Sequence, residues 1–412
     1  MKTTLAQQDA RSNAPGALAG VRVIDLSRVL AGPLATQILA DHGAEVLKIE
    51  PPRGDETRDF GPPFAGDSAA YFYALNRNKR AIALDLEQPE AREVLVGLLA
   101  GADVLVENFL PGTLERWGLA PQSLTERFPR LVVCRITGFG ADGPLGGLPG
   151  YDAVVQAIAG LMSVNGDAGG GATRLGVPVV DLSTGLNAAI GILLALAERS
   201  RSGRGQCVDC ALYDTALTLL VPQAANWFAS GTEPVRLGSA HPNIAPYDKF
   251  ATRTGEIFVG VSNDRQYARL CNVLQAPELA SDPRFSHNRQ RVANREALRA
   301  ELERRLAAHD ATPLCAQLMR AGVPAGAVLG VGQALSHPHA THRAMAADVG
   351  GIPCLGVPVK LSRTPASLRS APPPFAADTR RALADAGLGD PAIDRLIAQG
   401  AVVVERRRGE PK

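Results

Sequence analysis

Short apolar runs at residues 21–26, 45–50, 81–85, 104–108 and 131–137 alternate with stretches of helical pattern through the first third of the chain. Strands spaced this far apart are not joined by tight hairpins. They need crossover connections, and helical crossovers set the strands parallel and bury both faces of the sheet. The expected architecture is therefore doubly wound α/β. Beyond residue 137 the texture changes. Gly, Pro and Asp dominate 138–151, a second flexible run spans 165–172, and a strongly apolar helix is expected over 182–199. Near 231–243 the alternation ends, and shorter strands among charged helices indicate a second, smaller domain.

Bulk properties exclude several classes of function. The chain carries 43 Lys and Arg against 41 Asp and Glu, so it offers no general field for nucleic acid or an anionic membrane. An anion must be held by a local cluster. The first residues lack the apolar core of a secretory signal, and the longest apolar stretch, 186–197, is too short to span a bilayer. Six scattered cysteines suit reduced thiols. A cytoplasmic protein without nucleic-acid or membrane partners is expected.

Several local signals invite a chemical reading. Gly138-Phe139-Gly140-Ala141-Asp142-Gly143 has the spacing of a dinucleotide fingerprint, but Pro144, Gly146, Gly147 and Pro149 block the helix that must follow, so no nicotinamide cofactor is expected. Cys207 and Cys210 lack a second pair, and His337, His339 and His342 lack matching ligands, so no metal is expected. Asn76–Arg80 (NRNKR) brings three cations and two amides to a strand entrance. It suits either a phosphate cradle or a solvated strand start, and composition alone favours the second. Asp181 stands where a loop meets the apolar helix. An Asp there serves as an N-cap, and helix-terminal amides are expected to lower its pKa and keep it ionised. An ionised carboxylate open toward a loop is also a competent nucleophile for an activated acyl group.

Taken together, these segments resemble the family III CoA-transferases (CaiB/BaiF type), a group that also contains the α-methylacyl-CoA racemases. The matching motifs begin with V-I-D-L-S-R-V-L-A-G-P (23–33), G-A-E-V-L-K-I-E-P-P (43–52), N-R-N-K-R (76–80) and V-E-N-F-L-P-G (106–112) with Arg116. They continue with I-T-G-F-G (136–140), G-Y-D-A-V (150–154), A-G-L-M (159–162), V-D-L-S-T-G-L (180–186) and G-R-G-Q-C-V-D (203–209). The resemblance covers about residues 18–404. It implies a nucleophilic Asp at Asp181. CoA, a substrate here, would lie along Val29, Leu30 and Ala31, along Asn76, Asn78 and Lys79, and along Asn108, Phe109 and Leu110. Arg116 would complete that surface, with Tyr151 near the thioester. The implied assembly is an interlocked homodimer whose subunits each pair a Rossmann-like parallel-sheet large domain with a smaller α+β domain. Residues 1–228 would open the large domain, 229–340 form the small one, and 341–412 return to the large one.

Departures from the family pattern narrow the reaction. In the racemases a His occupies the position of Tyr151 and acts as a base, a role for which Tyr is too weak at neutral pH. Transfer is expected over racemisation. The formyl-CoA:oxalate transferases carry His and Gln where this chain has Arg28 and Leu30, which argues against oxalate. T-R-D-F-G-P-P-F (57–64), G-S-A-H-P-N-I-A-P-Y (238–247) and N-R-Q-R-V-A-N-R (288–295) are similar to the succinyl-CoA:dicarboxylate branch, which includes glutarate transferases. The expected activity moves CoA from succinyl-CoA to a small dicarboxylate through aspartyl anhydride and aspartyl-CoA intermediates. Amides at Gly138 and Gly140, or within 238–243, are candidates for an oxyanion site. Arg28, Arg174, His241 and Lys249 are unranked candidates for the distal carboxylate. A 2-methylacyl-CoA racemase or epimerase and a non-catalytic CoA-binding dimer are the alternatives.

Overall fold

The computed structural model describes residues 15–404; the N-terminal residues read for a secretory signal and the basic run 406–408 lie largely or wholly outside the described residues. Six strands form the parallel core: β1 (Arg22–Asp25), β2 (Glu45–Glu50), β3 (Lys79–Leu84), β4 (Val104–Glu107), β5 (Val132–Thr137) and β6 (Cys207–Ala211). Their spatial order is β3-β2-β1-β4-β5-β6, with Val23 of β1 opposite Val46 on one side and Val104 on the other. The alternation of side chains explains why both faces are buried. Val23, Val46, Val104, Val132 and Cys134 point to one core, and Ile24, Leu47, Leu105 and Val133 to the other. Helix α1 (Ala31–Asp41) belongs to the first core and α2 (Pro89–Leu99) to the second.

From β1 the chain winds outward through β2 and β3, then returns across β1 to β4. The loops that leave β1 and β4 therefore diverge, opening a crevice at the C-terminal ends of these two strands. Three short helices and one long one complete the frame of that crevice: α3 (Thr113–Arg116), α4 (Asp152–Ile158), α5 (Val179–Ser202) and α6 (Leu212–Thr218). Helix α5 is longer than the expected 182–199 and, by length and composition, is apolar enough to cross a membrane. One stripe, including Val180, Ala188, Ile192 and Ala195, packs into the first core, where Gly185 allows the helix to lie against the Ala31 carbonyl that a Cβ would strike. The opposite stripe, Leu186, Ile190, Leu193 and Leu194, is exposed.

The chain divides into two compact units. The first contains residues 1–161, 175–221 and 338–412, and the second 162–174 and 222–337. The divisions at 221/222 and 337/338 lie close to the expected 228 and 340, just ahead of helices Gln223–Ser230 and Pro338–His342. The excursion 162–174 into the second unit had no boundary in the sequence reading. The second unit is built on an antiparallel sheet of β7 (Tyr247–Thr252), β8 (Gly255–Gly260) and β9 (Ala325–Ala327), with its own core around Phe250, Ile257, Leu270 and Leu302. The C-terminal part of the first unit supplies β10 (Val402–Val403), which pairs antiparallel with β3 at the edge of the large sheet.

Candidate active site

A cleft of about 250 Å³ opens at the switch point of the sheet. Its walls are Arg28, Val29, Leu30 and Ala31 after β1, Asn108 to Pro111 after β4, Ile136 to Gly138 at the end of β5, the turn Leu148 to Tyr151, and Asp181. The turn after β1 is held against a local preference. Val29 has φ 69°, a left-handed conformation that costs a β-branched residue free energy. Asn108 clamps the residue before it: its Oδ1 accepts from the Arg28 amide at 2.9 Å and its Nδ2 donates to the Arg28 carbonyl at 2.8 Å. From below, Lys48 donates to the Ser27 carbonyl at 2.7 Å and pairs with Asp55 at 2.9 Å, both side chains fully buried. Across the cleft, Gly138 and Gly150 touch so closely that a Cβ on either would lie under 3.0 Å from the other's backbone, which sets Tyr151 on the rim, 66% exposed.

Asp181 is not the N-cap expected from sequence. Helix α5 begins at Val179, with Pro178 at the capping position and no side-chain cap of its own. The cap comes from α4, where buried Asp152 accepts from the amides of Val180 at 2.8 Å and Asp181 at 3.1 Å. Its second oxygen accepts from Gln156 at 2.6 Å. With those amides already engaged, the Asp181 carboxyl gains little from the helix end. Burial, then the like charge of Asp152, push it up to about 7. The expectation of a lowered pKa is thus reversed. Among the described residues no side chain donates a hydrogen bond to this carboxyl, and Asp181 lines the cleft. Tyr71 is close enough to feel the charges of Asp181, Asp152 and Asp55, and burial followed by those charges raises its phenol to about 12.

The side chains of the NRNKR run are engaged within the protein. Asn76, Asn78 and Lys79 are buried, and their side chains are bound inward. Lys79 donates to Asp25 at 3.1 Å, the Pro33 carbonyl at 2.9 Å and Asn76 at 2.9 Å. Asn78 donates to Asp41 and the Ser367 carbonyl, each at 2.8 Å, and accepts from the amides of Arg369 and Ser370. Arg80 pairs with Asp385 at 2.8 Å. A second cleft of about 280 Å³ lies elsewhere, at the ends of β2 and β3. Arg53, Leu84 to Glu87, Thr113 and Trp117 line it, and it shares Arg28, Phe109 and Leu110 with the first cleft. Arg116 is exposed on α3, one turn from Thr113.

The remaining candidates separate. Arg28 and Gly138 line the cleft with Asp181, whereas the Gly140 amide donates to Thr137 at 2.9 Å and is already engaged. Arg174, His241 and Lys249 belong to the second compact unit, where Lys249 pairs with Glu256 at 2.8 Å. The sequence reading missed Arg53, Tyr71 and Glu56, and the capping role of Asp152; only Asp152, inside the G-Y-D-A-V motif, left a trace there.

Comparison with known proteins gives the family. The family model described as CoA-transferase family III matches residues 18–379. A succinate–glutarate CoA-transferase of Agrobacterium fabrum is 40% identical over 84% of this chain and 90% of its own. An acetyl-CoA:oxalate CoA-transferase of Acetobacter aceti is 41% identical over the same shares. A crystal structure of a CaiB/BaiF family protein from Brucella suis superposes with a TM-score of 0.82 at 41% identity, covering 90% of this chain and 100% of that one.

Proposed function

Since this chain belongs to the family III CoA-transferases, we propose that it carries CoA from succinyl-CoA to a small dicarboxylic acid, with Asp181 as the covalent carrier. One observation carries the reading: a carboxyl to which no described side chain donates a hydrogen bond stands in a cleft that shares Arg28, Phe109 and Leu110 with a second cleft of comparable size. The acyl end of a CoA ester belongs in the first. Its nucleotide belongs in the second, near Arg53 and Leu84 to Glu87, with the arm running past Phe109 and Leu110.

In the forward half-reaction an oxygen of ionised Asp181 attacks the thioester carbon. The C–S bond breaks, leaving an aspartyl-succinyl anhydride and a CoA thiolate. The thiolate attacks the Asp181 carbonyl and succinate departs, giving an aspartyl-CoA thioester. An acceptor carboxylate then runs the same steps in reverse, takes CoA and restores the carboxylate. Binding of the remote nucleotide holds the thiolate beside its target, so its translational entropy is lost on binding rather than in the chemical step. The first turn of α1, which begins at Ala31 on the cleft wall without a side-chain cap, and the Gly138 segment supply amides for the developing oxyanion.

The exposed apolar stripe of α5 supports burial against a second copy, in keeping with an interlocked homodimer. Acceptor identity is not ranked by overall similarity, because glutarate and oxalate enzymes are equally similar to this chain. The test is mass-resolved exchange: purified protein, succinyl-CoA and a panel of isotopically labelled mono- and dicarboxylic acids. A labelled CoA ester formed with matching loss of succinyl-CoA supports transfer. Absence of any new ester, with solvent deuterium entering the α-carbon of a 2-methylacyl-CoA, would replace transfer by racemisation.

A further inference from the structure

We propose that Arg28 recognises the distal carboxylate of the transferred acyl group and so makes this site selective for dicarboxylates. The inference rests on the transferase reading above. Of the four cations that sequence offered, Arg28 alone lines the cleft that holds Asp181. Asn108 fixes both the amide and the carbonyl of this residue, so the side chain leaves the wall from a set point.

The guanidinium is incompletely used. Nη1 donates to Glu56 at 3.2 Å, and the group lies 5.6 Å from the centre of the Phe109 ring. Nε is buried and has no acceptor. An Arg fork matches a carboxylate through two parallel bonds, but Glu56 engages one nitrogen alone, with both partners partly exposed. Glu56 thus occupies the fork as a weakly held carboxylate. A ligand carboxylate that turns the fork away from Glu56 can take two donors at once and relieve the orphaned Nε, which is costly to leave unmade. The walls of the cleft that Arg28 and Asp181 share also include Leu30, Ile136, Leu148 and Leu212, an apolar lining suited to the methylenes that join two carboxylates. Succinyl and glutaryl groups both present such a carboxylate, so Arg28 serves donor and acceptor alike.

The experiment compares glutarate with valerate, acids of equal carbon number, as acceptors from one common donor, so that effects on the donor cancel in the ratio of kcat/KM. The expected result for Arg28→Gln is a fall in the glutarate-to-valerate ratio of roughly 10- to 100-fold, carried mainly by KM for glutarate, with Arg28→Lys between it and the native protein. Glu56→Gln removes the competing carboxylate and is expected to lower KM for glutarate several-fold, which keeps the proposal testable if Arg28 variants do not fold. A ratio within twofold of native in Arg28→Gln overturns the proposal, as does an unchanged or raised KM in Glu56→Gln. If the native protein uses valerate as well as glutarate, transfer stands and this proposal alone falls. If it transfers CoA to no acid, the transferase reading fails and takes the proposal with it.

Discussion

Replacing Asp181 by Asn should stabilise the protein while abolishing transfer, and the gain should depend on pH in a way fixed by the site. In the native fold burial and Asp152 raise this carboxyl to about 7, from an ordinary value of 3.8. The folded state therefore keeps a proton that the unfolded chain has lost between these two values. By linkage, stability falls as pH rises from about 4 to about 7 and stays lower above that. Three pKa units correspond to about 4 kcal/mol, and solvent reaching the partly open cleft reduces this to roughly 2–4 kcal/mol. Asn is isosteric, never ionises, and escapes the penalty. With an unfolding entropy of about 2 cal/mol/K per residue, the variant should melt roughly 2–5 °C above the native protein at pH 8 and much closer to it at pH 4. Scanning calorimetry of both proteins at pH 4, 6 and 8, at one ionic strength and concentration, reads the difference directly. A melting difference that does not grow with pH, or a variant less stable than native at pH 8, would refute the argument that the carboxylate is held ionised against its surroundings.

Other outcomes follow from the same geometry. Because Asp181 must be ionised to attack, the rate of the first half-reaction with succinyl-CoA should rise with pH through about 7 and then level, in single-turnover measurements. Asp152→Asn keeps an acceptor for the amides of Val180 and Asp181 but removes a like charge, so that rising limb should move to lower pH; movement to higher pH would contradict the coupling. Asn108→Ala releases both clamps on the strained turn at Val29, and should lower stability by about 1–3 kcal/mol and kcat by at least tenfold, read by urea unfolding and steady-state rates. Arg53→Ala should raise KM for acyl-CoA several-fold, whereas Arg80→Gln, whose partner is Asp385, should leave it within twofold.

The parts of this molecule written in local pattern were readable before the structure. Strands β1 to β5 announced themselves because each is short, apolar and separated from the next by enough chain for a crossover. Asp181 was readable as a residue, since it lies in V-D-L-S-T-G-L at a loop-to-helix junction. Its ionisation was not. The capping carboxylate that engages its helix amides is Asp152, twenty-nine residues away, and no local pattern says which of two acids will face the helix end. The NRNKR run hid its partners for the same reason. Its neutralising partners, Asp25, Asp41 and the carbonyl of Ser367, are scattered over the chain, so a buried structural network and an open anion site have the same composition. The cleft lined by Arg53 and Leu84 to Glu87 arises only when strands β2 and β3 lie side by side. Arg28 was one of four equivalent cations until the fold set it in the cleft with Asp181.

The central claim is that Asp181 carries the acyl group and then CoA as covalent intermediates. The most direct measurement is to mix the protein with succinyl-CoA in the absence of acceptor, quench with hydroxylamine, and map the product by peptide mass spectrometry. The account predicts a hydroxamate on Asp181 alone, lost in Asp181→Asn and absent when succinyl-CoA is replaced by free succinate and CoA. No modified residue, or a hydroxamate on any other carboxyl, would contradict it.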